Sequence, residues 1–237
     1  METNETYQEN VKALAKLGVD TEDIANVYLN ITEKGEDISK EVYINNLTEM
    51  LKFFQARNNN ISDENTEAIY KEDVLDMVKK NKKIVGMDIN KRVKPICETI
   101  DSYYFMNPGY TNKLIKNNPK IFNVNKIDLE IYATVLSEFG INLDGQVINL
   151  YEYIIKQDSE FLNNNVQTVY QRLMYIKNYK NSKLITKDEL QWITSDENKW
   201  NSETVSNVEL TEKYKLPTYQ GENVSEYKEK IQNIMNQ

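Results

Sequence analysis

The feature that most constrains the fold is an apolar plug that recurs along the chain. Met77-Val-Lys-Lys-Asn-Lys-Lys-Ile84-Val85 matches Leu114-Ile-Lys-Asn-Asn-Pro-Lys-Ile121-Phe122 at an offset of 37 residues. The second copy matches Ile154-Ile-Lys-Gln-Asp-Ser-Glu-Phe161-Leu162 at an offset of 40. A looser fourth copy runs from Leu190 to Trp200, and a weaker, earlier one places Ile38 ahead of the stretch 39–54. Each unit reads as a first helix, a polar turn, one or two apolar residues turned inward, a short polar stretch and a second amphipathic helix. That second helix is expected about nine residues after the plug, marked by Val93, Ile131 and Tyr170. A two-helix unit with a period near 40 residues cannot bury its apolar face alone and must stack on its neighbours. The expectation is an all-α fold, a right-handed stack of about five helical hairpins forming an α-solenoid, with a C-terminal capping helix. Residues 1–205 would form the array and 206–237 an extension.

Helical spacing supports this. Ile44, Leu47, Met50, Leu51 and Phe54 recur at intervals of three and four, as do Ile131, Val135, Leu136 and Phe139. Val147, Ile148, Tyr151, Ile154 and Ile155 read the same way. Thr186 and Glu189 form a capping box, and Thr21, Ser39 and Ser62 are candidate N-caps. Gly18 and Gly140 each follow a helical pattern, as a glycine just past a helix end should. Near the C-terminus, Ser225–Met235 reads as a short helix bearing Tyr227, Ile231, Ile234 and Met235, suited to capping an exposed apolar edge.

The corner Leu114–Phe122, with its Asn118-Pro119 pair, followed by Ile127 to Gly140-Ile141, resembles the repeat of the mitochondrial transcription termination factor family. Lys82 and Ser159 stand where that corner has proline. The resemblance extends over residues 10–205. It implies a curved α-solenoid and nucleic-acid binding on a basic concave face.

Composition bears on chemistry. The chain has no His and one Cys. That removes imidazole bases, imidazole ligands, His-assisted nucleophiles and cysteine-pair redox or zinc chemistry. Cys97 lies among Val93, Ile96 and Ile100 at helical spacing and reads as a small core residue. No phosphate-binding glycine motif occurs. The expectation is a non-enzymatic protein with no cofactor and no metal. The acidic groups Asp20, Glu22 and Asp23, and Glu33, Glu36 and Asp37, read as solvated surface.

The net charge of −8 is unevenly spread. Between positions 79 and 94, Lys79, Lys80, Lys82, Lys83, Lys91, Arg92 and Lys94 face Asp88 as the one acid. Lys113, Lys116 and Lys120 fall at the matching corner of the next unit. If stacked corners align, these residues form a candidate polyanion site, with Tyr103, Tyr104 and Tyr110 as candidate stacking or interface residues. The competing reading makes the lysines solvated helix ends and the tyrosines core.

The chain begins METNETYQEN and contains no run of about 20 apolar residues, so a cytoplasmic protein without a membrane partner is expected. The functional expectation is a protein-interaction or regulatory module. The alternative is a nucleic-acid-binding regulator using the basic stretch around 79–120.

Overall fold

The computed structural model describes residues 12, 14–16, 19, 22, 39–59, 61, 67–104, 108–203 and 207–236. They fall into two compact units, Met1–Asn123 and Val124–Gln237. The expected roles of Gly18, Thr21, Ile38 and Ser62 lie outside the described residues.

The first unit contains α1 (Lys40–Asn58), α2 (Lys71–Lys80), α3 (Lys94–Tyr104) and α4 (Pro108–Asn117). The second contains α5 (Lys126–Ser137), β1 (Gly140–Leu143), β2 (Gln146–Asn149), α6 (Leu150–Gln157), α7 (Val166–Lys180), β3 (Leu184–Ile185), α8 (Lys187–Ile193), α9 (Glu197–Glu203), α10 (Asn207–Lys213) and α11 (Val224–Met235). The described chain is mostly helical, and no described helix is long and apolar enough to cross a membrane.

The recurring plug is a real structural unit. After α2, α4 and α6 the chain tightens into a short 3-10 helix at Lys82–Gly86, Pro119–Asn123 and Ser159–Asn163. One residue makes each transition. The N–H groups of Asn81, Asn118 and Asp158 donate to the carbonyls of Met77, Leu114 and Ile154 at 2.8, 2.8 and 2.9 Å. Their own carbonyls accept from Ile84, Ile121 and Phe161 at 3.1, 3.1 and 3.0 Å. These bonds satisfy groups that a helix end would otherwise leave orphaned, and they roll the plug inward. Ile84, Val85, Ile121, Phe122, Phe161 and Leu162 are each at most 2% exposed. Burying each side chain stabilises by about 1.5–3 kcal/mol.

The second helix starts earlier than the spacing suggested. A π-helical turn (Ile89–Val93) leads into α3, and the turn, α5 and α7 all begin five residues after the first plug residue. Val93, Ile131 and Tyr170 are buried within these elements, four or five residues after each begins. Asp88 and Asn165 cap their helices by accepting backbone N–H groups. The loose fourth copy lacks a 3-10 corner, although Trp200 is fully buried.

The all-α expectation is corrected by a three-stranded sheet in the order β2-β1-β3. β1 pairs antiparallel with β2 and parallel with β3. The sequence Asp144-Gly145 takes φ of 52° and 91°, the mirror-image turn that matches strand twist and folds a two-residue hairpin. Ile141 and Ile148 then point inward while Val147 faces solvent at 56% exposure, so Val147 belongs to no helical face. Helix α6 starts only after Asn149, whose side chain accepts from the Glu152 N–H at 3.2 Å. Gly140 is a strand residue and not a helix terminator. A Cβ there would sit 2.9 Å from Leu184 Cδ2 and 3.0 Å from Val147 Cγ1.

The other caps behave as read. Ser39 Oγ accepts the Val42 N–H at 3.3 Å. Thr186 and Glu189 exchange both capping-box bonds, at 3.2 and 2.8 Å. Helix α11 docks on α5, burying Tyr227, Ile231 and Met235. Lys228 reaches Glu130 at 3.5 Å, and Lys177 Nζ donates to the Met235 carbonyl. Its apolar face therefore covers the second helix of the Leu114 unit, not the last one in the chain.

Candidate lysine-rich corner

In the first unit the two lysine-rich corners lie side by side. Asn81 is buried because its amide Nδ2 donates across to the Pro119 carbonyl at 2.9 Å and to Asn123 Oδ1 at 3.2 Å. Lys80 Nζ donates to the Lys116 carbonyl at 3.5 Å. Arg92 adds a second tie: Nε donates to the Phe122 carbonyl and Nη2 to the Asn123 carbonyl, both at 2.8 Å. The carbonyls at the end of one corner are thus held by side chains from the preceding unit. In the second unit Tyr132 Oη donates to the Asn164 carbonyl at 2.7 Å, the same relation from α5 to the Phe161 corner. The buried Arg172 on α7 donates Nη1 to the carbonyls of Ile193 and Ser195 at 2.8 and 2.7 Å.

Most candidate cations are occupied. Lys80 pairs with Asp76 at 2.7 Å, Lys91 with Asp88 at 3.6 Å and Lys94 with Glu98 at 3.8 Å. Lys116 meets Asp73 at 3.0 Å and Glu67 at 3.5 Å. Partial burial disfavours its charge, but hydrogen bonding and attraction from those carboxylates outweigh it and raise its pKa. Arg92 holds carbonyls, and Lys82 is half-buried and engaged. Lys79, Lys83, Lys113 and Lys120 are exposed, and no acid pairs with them among the described residues. Lys83 and Lys120 occupy equivalent positions, each immediately before its plug. Tyr110 is 52% exposed at the start of α4; the side chains of Tyr103 and Tyr104 lie outside the described residues.

One polar cluster has no sequence signal. Arg57 grips Asp101 with both terminal nitrogens at 2.8 and 2.7 Å, and its Nε donates to Asn112 Oδ1 at 2.9 Å. Thr111 Oγ1 donates to Asp101 at 2.6 Å, and Asn112 Nδ2 donates to the Glu67 carbonyl at 2.9 Å. The network ties the end of α1 to α3 and α4 through residues 44 and more positions apart. With its groups this fully paired it acts as a clamp. Cys97 lies beneath it, fully buried, and burial pushes its thiol up to about 12. A thiol held protonated at neutral pH is a poor nucleophile.

Two open clefts of about 490 and 430 Å³ flank α1. The first is lined by Leu51, Gln55, Asn58, Ile69, Tyr70 and Val74. The second is lined by Phe53, Ala56 and the π-helical residues Ile89 and Asn90, with Lys94 and Glu98 at its rim. The acids lining it, Glu49 and Glu98, are paired with Lys52 and Lys94. Among the described residues no group of three or more acids and cysteines is placed to hold a metal ion.

Comparison of the chain with protein-family models, with curated proteins and with solved structures finds no match.

Proposed function

We propose that this chain is a non-enzymatic helical-repeat scaffold whose task is to bind another protein. The observation that carries this reading is the fate of the basic stretch. Of the residues expected to meet a polyanion, Lys80, Lys91, Lys94 and Lys116 each stand within 4 Å of a carboxylate and Arg92 donates to backbone carbonyls. Large side chains stand exposed on both units: Tyr70, Tyr110 and Tyr179 are 65, 52 and 80% exposed. Tyrosine suits interfaces because it supplies contact area at low entropy cost. The three corners of one geometry support the finer reading of an α-solenoid built from stacked hairpins.

A second reading, nucleic-acid binding, rests on the adjacency of the two corners, in and beside which Lys79, Lys83 and Lys120 stand exposed. Three lysines against a net charge of −8 make a weak polyanion site. The test is a titration of a labelled oligonucleotide at low salt with the full chain and with Lys83→Glu plus Lys120→Glu. The interaction reading expects no saturable binding. Saturable binding that the double variant abolishes would overturn it in favour of the second.

A further inference from the structure

The three-stranded sheet has two edges, and among the described residues only one of them is protected. β3 is two residues long, its Leu184 carbonyl accepts Lys180 Nζ at 3.2 Å, and the adjacent Lys183 is held by Glu138 at 2.8 Å. Lysines and shortness are the usual devices that stop strand-to-strand association. The other edge, β2, has neither. Gln146, Val147, Ile148 and Asn149 carry no charge, and the single charge of the whole β1–β2 hairpin is Asp144 at its tip.

The register shows what this edge offers. Leu143 pairs with Gln146 next to the two-residue turn and Asn142 with Val147 one step further. Antiparallel pairs alternate between bonded and non-bonded, so the N–H and C=O of Val147 point away from β1, into solvent. The Val147 side chain stands on the outer face beside Leu184, the two closing over the missing Cβ of Gly140. At 56 and 40% exposure they form one contiguous apolar strip.

We propose that β2 is a self-association edge that pairs antiparallel with β2 of a second copy of this chain about a two-fold axis at Val147. Two features favour a second copy as the occupant. The outward N–H and C=O of a single residue are self-complementary across a two-fold axis, so Val147 meets Val147 with both bonds made. Antiparallel pairing sends the two Asp144 tips to opposite ends. Two copies each carrying −8 repel one another, an opposing contribution that salt screens. A four-residue strand falls short of the roughly 1,200 Å² that stable complexes bury, so the pairing is weak and reversible.

Sedimentation equilibrium of the full chain over a wide loading range tests this. The expected result is an average mass that climbs reversibly from 27.8 kDa toward twice that value, and climbs further when salt screens the net charge. Val147→Pro removes an N–H that the hairpin does not use, so it spares the fold while blocking the added strand. Val147→Lys supplies the missing edge charge. Both are expected to stay at the monomer mass with unchanged circular dichroism, whereas Val42→Lys, at an exposed apolar position in the first unit, associates like the parent. A parent chain that remains monomeric at millimolar loading overturns the proposal. So does a Val147→Pro chain that is folded and associates like the parent. Capture of a foreign chain by a monomeric parent in a Val147-dependent way would assign the edge to a heterologous strand and equally overturn it.

Discussion

Replacing Phe161 by Ala empties the plug of the third corner. The ring is 2% exposed and meets Tyr132 edge-on, with centroids 6.3 Å apart and planes at 69°. Truncating a buried Phe costs about 3–5 kcal/mol, including the lost edge-to-face contact and the cavity left behind. The unit concerned is Val124–Gln237, and for a domain of that size each kcal/mol moves the midpoint by several degrees. The expected fall is on the order of 15 °C. The assay is tryptophan fluorescence during thermal unfolding, because the only two tryptophans, Trp192 and Trp200, both lie in that unit. Phe161→Leu keeps the plug filled and is expected to lose less than about 1.5 kcal/mol. A Phe161→Ala midpoint within about 3 °C of the parent would show that the residue is no structural plug, and the repeat register would fall with it.

Two further outcomes follow from the same structure. Burial, and then Glu160, raise the pKa of Asp158, opposed by the Phe161 N–H. A carboxyl with a higher pKa folded than unfolded stabilises the fold below its unfolded pKa, and that contribution is lost as pH rises through the folded value. At neutral pH the ionised group therefore works against the corner. Asp158→Asn, which supplies the residue type of Asn81 and Asn118, should raise the melting midpoint at neutral pH, with the gain vanishing as pH falls toward the ordinary carboxyl value of 3.8. Cys97 should resist a thiol reagent at pH 8 in the folded chain and react at once in denaturant, because burial holds its thiol at about 12.

Parts of this molecule are legible in its sequence because the deciding physics is local. The plugs stand out because buried pairs repeat at a fixed distance from a polar turn, and the caps at Ser39 and Thr186 because each depends on residues three apart. The hairpin at 140–149 was masked by coincidence. Val147, Ile148 and Tyr151 satisfy helical spacing, and only the Asp144-Gly145 turn betrays the strands. The pairing of the lysine-rich stretch is hidden for another reason. Its acids Glu67, Asp73 and Asp76 precede it, and only folding brings Lys116 onto the first two. The Arg57–Asp101 clamp depends wholly on how α1 meets α3 and leaves no pattern in the chain.

The most direct test of the central claim is affinity capture by the full chain from a lysate of its source cell, with and without nuclease, read by mass spectrometry and by nucleic-acid staining. An interaction scaffold should retain a stoichiometric protein partner that survives nuclease and the Lys83→Glu plus Lys120→Glu substitutions. Recovery of nucleic acid alone, or of proteins lost on nuclease treatment, would contradict it.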